Sequence, residues 1–320
     1  MASNIDFVVI KDAVELVNKN MDKFDFNRIE SGFRTLDFIK GGWIKGEFSV
    51  IGGRPGMGKT GFIISIISNL LQDNIPVSLF SAKNSMNEEL IAYLVSCIKF
   101  QNIEHTKEDK VKLLKSVDLS NIPFFLNIQS RMTLAYIRDN ARILVEKHGV
   151  KCIFIESIQN IFNSEENGNA KEGMEKICHQ LKLMARDLNV PLIVTSDLNR
   201  AVEHREGFEG KEPLLSDLRG SSAIEFEADS ILLLHRPSYY GINVDEQGNS
   251  LQNIEIVKIQ KNKSGLGDVF LKYCYEDGTV EEICGGKRSE YKTLNNILKN
   301  TSDIKLMDDL ELKIVGNKPF

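Results

Sequence analysis

The chain has 320 residues, of which 42% are hydrophobic and 27% are charged, so its composition excludes wholesale disorder and collagen-like repeats. With a formal net charge of −5, any binding of nucleic acid has to depend on locally concentrated basic groups. No apolar run is long enough to span a membrane, and the N-terminus lacks a signal-peptide pattern. The five cysteines form no C-x-x-C pair, which argues against a disulfide framework or a zinc site. We therefore expect a cytoplasmic protein that is not associated with a membrane.

Along the chain, the residue pattern predicts three parts. Residues 1–27 contain an amphipathic helix over 7–23, whose apolar stripe either folds back on its own domain or docks on a neighbouring copy. Residues 28–284 form the predicted core. Residues 285–320 form a polar tail.

Within the core, six short apolar runs alternate with helical segments. The predicted strands cover 48–53, 77–82, 124–128, 152–157, 191–197 and 230–236, and the predicted helices cover 59–72, 86–100, 133–148 and 170–188. Strands that are apolar throughout indicate a parallel sheet buried on both faces. Two alternating runs over 253–283, with a glycine-containing turn, predict an antiparallel hairpin. The predicted fold is therefore α/β: a mostly parallel, twisted sheet flanked by helices, with a C-terminal antiparallel hairpin.

A phosphate-binding loop follows the first core strand. The segment GRPGMGKT matches G-x-x-x-x-G-K-[ST] between a strand and a helix, the context that such a loop requires. Glycines allow backbone N–H groups to point into one concavity, and the helix N-terminus adds partial positive charge. The predicted ATP-binding residues are Gly53, Arg54, Pro55, Gly56, Met57, Gly58, Lys59, Thr60 and Gly61. Among them, Lys59 is expected to reach the β- and γ-phosphates, and the Thr60 hydroxyl is expected to bind Mg²⁺.

A carboxylate at the tip of a later strand would complete a magnesium site. Glu156 ends the apolar run CIFIE and is the candidate for this second ligand. The alternative is that Glu156 is merely an exposed carboxylate at the end of a strand.

With these motifs placed, four segments resemble the RecA-like ATPase core of DnaB-type hexameric replicative helicases: residues 31–60, 155–161, 190–200 and 216–236. The S-D-L-R sequence followed by a strand that begins A-D is the most specific of these matches. The resemblance covers roughly residues 8–283. It implies an ATP-dependent helicase motor that acts on single-stranded DNA in replication, with ATP and Mg²⁺ bound between the subunits of a homo-oligomeric, hexameric ring.

The resemblance also implies roles for individual residues. The helix over 7–23 corresponds to a linker helix that packs on the adjacent subunit. Lys261 and Lys263 are similar to a K-x-R-x-G finger that reaches the neighbouring subunit's ATP, although a solvated hairpin face is the alternative. The segment with Arg219, Gly220 and Ser222 falls where the family contacts DNA phosphates; alternatively, Arg219 is only an ion-pair partner.

Three catalytic positions depart from the family pattern. Lys83 stands where a glutamate activates water, Glu156 replaces an aspartate, and Asp197 replaces a glutamine. Because a protonated lysine cannot accept a proton, turnover would be slow unless Asp197 is the base. We expect Lys83 and Asp197 to end neighbouring strands and to form a salt bridge beside the γ-phosphate.

The predicted channel loop, residues 163–169, contains two acids and no base, which would weaken DNA binding.

The three catalytic departures and the acidic channel loop leave two alternatives to a helicase motor. One is a degenerate relative that binds ATP, hydrolyses it poorly and regulates assembly. The other is a different RecA-like ATPase, such as a recombination or clock-type protein.

Overall fold

The computed structural model describes residues 28–82, 121–127, 129, 131–162, 170–245, 248, 250–274 and 279–282. The predicted helices over 7–23 and 86–100, the channel loop, the tail and Lys83 lie outside these residues. Within the described part of the chain, no helix is both long and apolar enough to cross a membrane.

One nine-stranded sheet organises the described residues. Its members in chain order are β3 (Phe48–Gly53), β4 (Val77–Ser81), β5 (Phe124–Asn127), β7 (Cys152–Glu156), β9 (Leu192–Asp197), β10 (Ser230–His235), β11 (Ile254–Lys261), β12 (Gly267–Cys274) and β13 (Thr279–Glu282). Their spatial order is β13-β12-β11-β10-β3-β9-β7-β4-β5. The six strands from β10 to β5 are parallel, and β11, β12 and β13 extend the sheet antiparallel. The predicted fold class is confirmed.

Helices cover both faces of this sheet. They are α1 (Arg34–Lys40), α2 (Lys59–Gln72), α3 (Leu134–His148), α4 (Ala170–Leu188), α5 (Ala201–His204), α6 (Gly207–Gly210) and α7 (Ser221–Glu227). Two short sheets, β1 (Arg28–Ile29) with β2 (Trp43–Ile44) and β6 (Met132–Thr133) with β8 (Ile161–Phe162), lie outside the large one. Alternate residues of β3 divide between two cores: Ile51 packs in the cluster with α1 and α2, and Val50 packs in the cluster with α3, α4 and α7.

The local signals explain where the predicted helices begin and end. Thr133 caps α3, because its side chain accepts a hydrogen bond from the Tyr136 N–H, and Gly149 ends the helix with a left-handed residue. The predicted hairpin is present as β11 and β12. However, its second run is not one strand: the structure divides it into β12 and β13, which pair with each other. The sequence between these strands contains Asp277-Gly278, a dipeptide typical of hairpin turns, so the division of the run had a local signal that the prediction of one strand overlooked.

A buried histidine makes stability depend on pH. His235, at the end of β10, is 1% exposed, stacks on Tyr240, and has no hydrogen-bond partner for Nε2 among the described residues. Burial lowers the pKa of His235 from 6.5 to about 4, and the positive charge of Lys258 acts in the same direction. The unfolded chain therefore binds more protons than the folded chain between these two values.

We expect the free energy of unfolding to fall as the pH is lowered from 6.5 to about 4, because His235 is protonated only in the unfolded chain. His235→Phe removes this term, which amounts to roughly 3 kcal/mol. Denaturant unfolding of both proteins at pH 7 and pH 4 measures the difference. Equal losses of stability in the two proteins would contradict the prediction.

Candidate nucleotide-binding site

The predicted phosphate loop connects β3 to α2 and has the expected backbone. Gly56 and Gly58 have φ values of +81° and +82°, in the left-handed region that favours glycine. Gly58 is the residue that caps α2, and its carbonyl accepts the Phe62 N–H at 2.8 Å. The start of a 14-residue helix therefore faces the concavity of the loop, where its dipole favours an anion.

Lys59 lies folded over this loop. Its ammonium donates to the carbonyl oxygens of Gly53 at 2.6 Å and Arg54 at 3.3 Å, and it forms an ion pair with Asp197 at 3.0 Å. Arg54, also predicted to bind ATP, points its guanidinium toward another segment: it donates to Glu203 at 2.9 Å and to the Leu198 carbonyl at 2.8 Å. The loop is thus tied to the chain that follows β9.

Thr60 and Glu156 meet as the sequence predicts. The Thr60 hydroxyl donates a hydrogen bond to Glu156 Oε1, although the two residues are 96 positions apart. Glu156 is 3% exposed at the tip of β7, so the alternative of an exposed strand-end carboxylate is wrong. A hydroxyl and a carboxylate oxygen side by side are hard donors that fit Mg²⁺.

Sequence reasoning missed Gln159, which donates to Ser196 at 2.9 Å and accepts the Asp197 N–H at 3.1 Å. It fastens the end of β9 to the turn after β7.

The expected relation between Lys83 and Asp197 needs correction. Strand β7 lies between β4 and β9, so the strands that precede these two residues are not neighbours. Asp197 forms its ion pair with Lys59. Lys83 lies outside the described residues, and a pair between it and Asp197 therefore stays a prediction.

The predicted DNA-binding segment starts beside Asp197. The Arg219 N–H donates to the Asp197 carbonyl at 3.0 Å, and Leu198 forms a β-bridge with Leu218. Arg219 and Ser222 are exposed, and Gly220, with φ of +89°, caps α7. The role of Arg219 as a DNA contact, or alternatively as an ion-pair partner, stays a prediction.

The two finger lysines lie at the opposite edge of the sheet. Strand β11 runs antiparallel to β10, and Lys261 is opposite Ile231, near the start of β10. The Lys261 ammonium donates to the Glu225 carbonyl at 2.6 Å, at the end of α7. Lys263 is 76% exposed, with its ammonium 3.9 Å from Asp229 Oδ1. Strands β3 and β10 are each about 20 Å long, and the phosphate loop lies at one end of them while the lysines lie at the other. Neither lysine can therefore touch the phosphate loop of its own chain.

These features define a P-loop nucleotide-binding protein with a RecA-like sheet. Residues 28–279 match the family described as "DnaB-like helicase C terminal domain". The chain therefore belongs to the DnaB-like helicase family.

The curated relatives agree with this assignment. The replicative DNA helicase DnaC of Bacillus subtilis is 30% identical over 283 residues, which cover 85% of this chain and 60% of that protein. A "Probable replicative DNA helicase" of Trieres chinensis is 32% identical over 256 residues, which cover 77% of this chain and 55% of that protein. The chain thus spans about three fifths of these relatives' length.

A solved structure agrees as well. The structure of a DnaB-like replicative helicase, described together with its interactions with primase, matches with a TM-score of 0.71 and 29% identity. The match covers 88% of this chain and 68% of that one. The similarity of fold therefore extends over most of the chain.

Asp197 places a negative charge where a triphosphate would meet Lys59. We expect Asp197→Asn to bind MgATP roughly 3- to 10-fold more tightly, because a partly exposed carboxylate no longer repels the phosphates. Titration with a fluorescent ATP analogue measures the change. Asp187→Asn, which removes an exposed acid from α4, is the matched control and should leave affinity unchanged. Weaker binding by Asp197→Asn would show that the carboxylate assists the lysine instead.

Proposed function

We propose that this chain is the ATP-driven motor of a DnaB-type replicative helicase, acting on single-stranded DNA in the cytoplasm as a homo-oligomeric, hexameric ring. The observation that carries the proposal is the meeting of the phosphate loop, Glu156 and Asp197 at one sheet edge, in a chain of this family. The names of the relatives above, replicative DNA helicases, support the same activity.

In this proposal, each residue of the site has a separate task. Backbone N–H groups of the loop and Lys59 hold the β- and γ-phosphates, and Lys59 exchanges a present partner for a phosphate oxygen. Thr60 and Glu156 would hold Mg²⁺, which would neutralise charge on the phosphates. We also propose slow turnover, because Lys83 stands where the family pattern has the water-activating glutamate.

The position of the finger lysines supports a ring. Lys261 and Lys263 lie at the edge opposite to the phosphate loop, so they can serve a nucleotide only if another subunit supplies it. Lys263 is mostly exposed and has the reach for such a contact. A lysine lacks the bidentate geometry of arginine, so its stimulation of the neighbouring site is expected to be modest.

The hydrogen bond between Arg219 and Asp197 supports coupling of nucleotide to DNA. A displacement of the end of β9 on phosphate binding is transmitted directly to the backbone of Arg219. Arg219, Gly220 and Ser222 would then bind DNA phosphates through a guanidinium, backbone N–H groups and a hydroxyl, without reading bases.

The deciding experiment is ATP turnover by the full chain with and without single-stranded DNA. We expect turnover that DNA stimulates, together with unwinding of a forked duplex. Lys59→Ala is the blank, because it removes the ammonium that faces the phosphates. ATP binding without turnover, with or without DNA, would contradict the motor and select the degenerate relative.

A second test concerns the DNA contact. We expect Arg219→Ala to weaken binding to single-stranded DNA about 5- to 10-fold and to reduce the slope of log K against log salt by about 0.7, as the loss of one phosphate contact requires. Fluorescence anisotropy over a salt series measures both values. Arg142→Ala, which removes an exposed arginine from α3, should change neither. If the two variants behave alike, Arg219 is not a phosphate contact.

A further inference from the structure

A buried acid lies directly behind the phosphate loop and takes no part in the site described above. Glu255 is the second residue of β11 and is completely buried. An added Cβ on Gly58 would lie 2.9 Å from Glu255 Oε2 and 3.3 Å from Oε1. The Glu255 carboxyl therefore fills the space beside the left-handed glycine at which the loop turns into α2.

The surroundings of Glu255 leave its polar atoms unsatisfied. Among the described residues, neither carboxylate oxygen has a hydrogen-bond partner. Arg236 is the charged group that acts on it, and the Arg236 guanidinium stacks on Tyr273 and donates to the Gly56 carbonyl at 2.9 Å. Burial raises the pKa of Glu255 well above its ordinary value, and the charge of Arg236 only partly opposes this shift. Burial without a hydrogen-bond partner therefore favours the uncharged form of this carboxyl.

A neutral acid suits this position better than a charged one. A carboxylate behind Gly58 would repel a triphosphate through a region of low dielectric constant. A neutral carboxyl occupies the same volume without that repulsion. It also prevents the glycine, which has no side chain of its own, from relaxing into the space behind the loop.

We propose that Glu255 is a positioning residue for nucleotide binding, whose carboxyl supports Gly58 from behind and maintains the bend that aims the loop's N–H groups at the phosphates. This inference rests on the proposed binding of ATP at the loop. Glu255 does not touch the phosphates in this arrangement; it acts through the backbone of Gly58.

The test separates ATP binding from turnover in the full chain. We expect Glu255→Ala to raise the KM for ATP about 10-fold with kcat within about twofold of the wild-type value, because the loop loses its support before phosphate binds. Glu255→Gln, which is neutral and has nearly the same shape, should restore most of the wild-type KM at pH 7. If the alanine variant does not fold, Glu255→Asp, which shortens the side chain by one methylene, should raise KM in the same direction by a smaller factor.

A partly buried acid with a raised pKa serves as the matched control. Burial raises the pKa of Asp37 to about 7, but Asp37 bonds to Ser31 and Gly32, away from the phosphate loop. Asp37→Asn is expected to lower the melting temperature without changing KM. A merely structural role of Glu255 would make its variants behave in the same way.

Each remaining outcome overturns a stated claim. An unchanged KM in Glu255→Ala, or in Glu255→Asp if the alanine variant does not fold, would overturn the positioning role. A KM in Glu255→Gln as high as in the shortened variant would overturn the claim that an uncharged side chain of this shape is sufficient to support Gly58. Lys59→Ala distinguishes failure of this inference from failure of the proposed function. If Lys59→Ala binds and hydrolyses ATP like the wild type, the proposed function is wrong. If Lys59→Ala is inactive while the shortened Glu255 variant keeps the wild-type KM, only this inference is wrong.

Discussion

The site depends on one constraint, which is that parallel strands all end at the same edge of their sheet. Strands β3, β9 and β7 are adjacent, and their carboxyl ends bring the phosphate loop, Asp197 and Glu156 together. No local interaction could do so, because Thr60 and Glu156 are 96 positions apart. The bonds of Gln159 then lock the end of β9 to the segment after β7, so the nucleotide edge is held by hydrogen bonds as well as by strand pairing.

The edge at which strands β3 and β10 begin lies opposite the nucleotide-binding edge, and a buried ion pair stabilises it. The ammonium of Lys40 bonds to Glu47 at 2.8 Å, and the same carboxylate oxygen accepts hydrogen bonds from Ser49 on β3 and Ser230 on β10. Burial alone would raise the pKa of Glu47, but the Lys40 ammonium and these hydrogen bonds hold it below its ordinary value. Removing one partner of such a pair typically costs about 3–5 kcal/mol, because the other charge stays buried. This network aligns the starts of β3 and β10, and hence the edge at which Lys261 and Lys263 lie.

Sequence reasoning succeeded for features that local pattern determines, and failed where pairing between distant segments decides. The apolar strands, the caps of α3 and the phosphate loop all have local signals. The order of strands has none, so β7 was not expected between β4 and β9. Glu255 did carry a signal that was missed: alternation along β11 puts it on the same face as Val257 and Ile259, both of which pack in the core beside α2. An acid in an inward-facing register is a candidate for function, since burying it is costly.

Strand β11 runs between two edges of the sheet, the one that carries the phosphate loop and the one that carries the finger lysines. One end carries Glu255, against Gly58 of the phosphate loop, and the other carries Lys261, near the start of β10. Because β11 is hydrogen-bonded on both sides, to β10 and β12, it cannot bend independently of the sheet. In a ring of the proposed kind, a pull on the lysine end by a neighbouring subunit's nucleotide would therefore move the sheet as a rigid body. Because Glu255 belongs to that sheet, its contact with Gly58 would move with it, and the nucleotide-binding edge and the lysine edge would shift together.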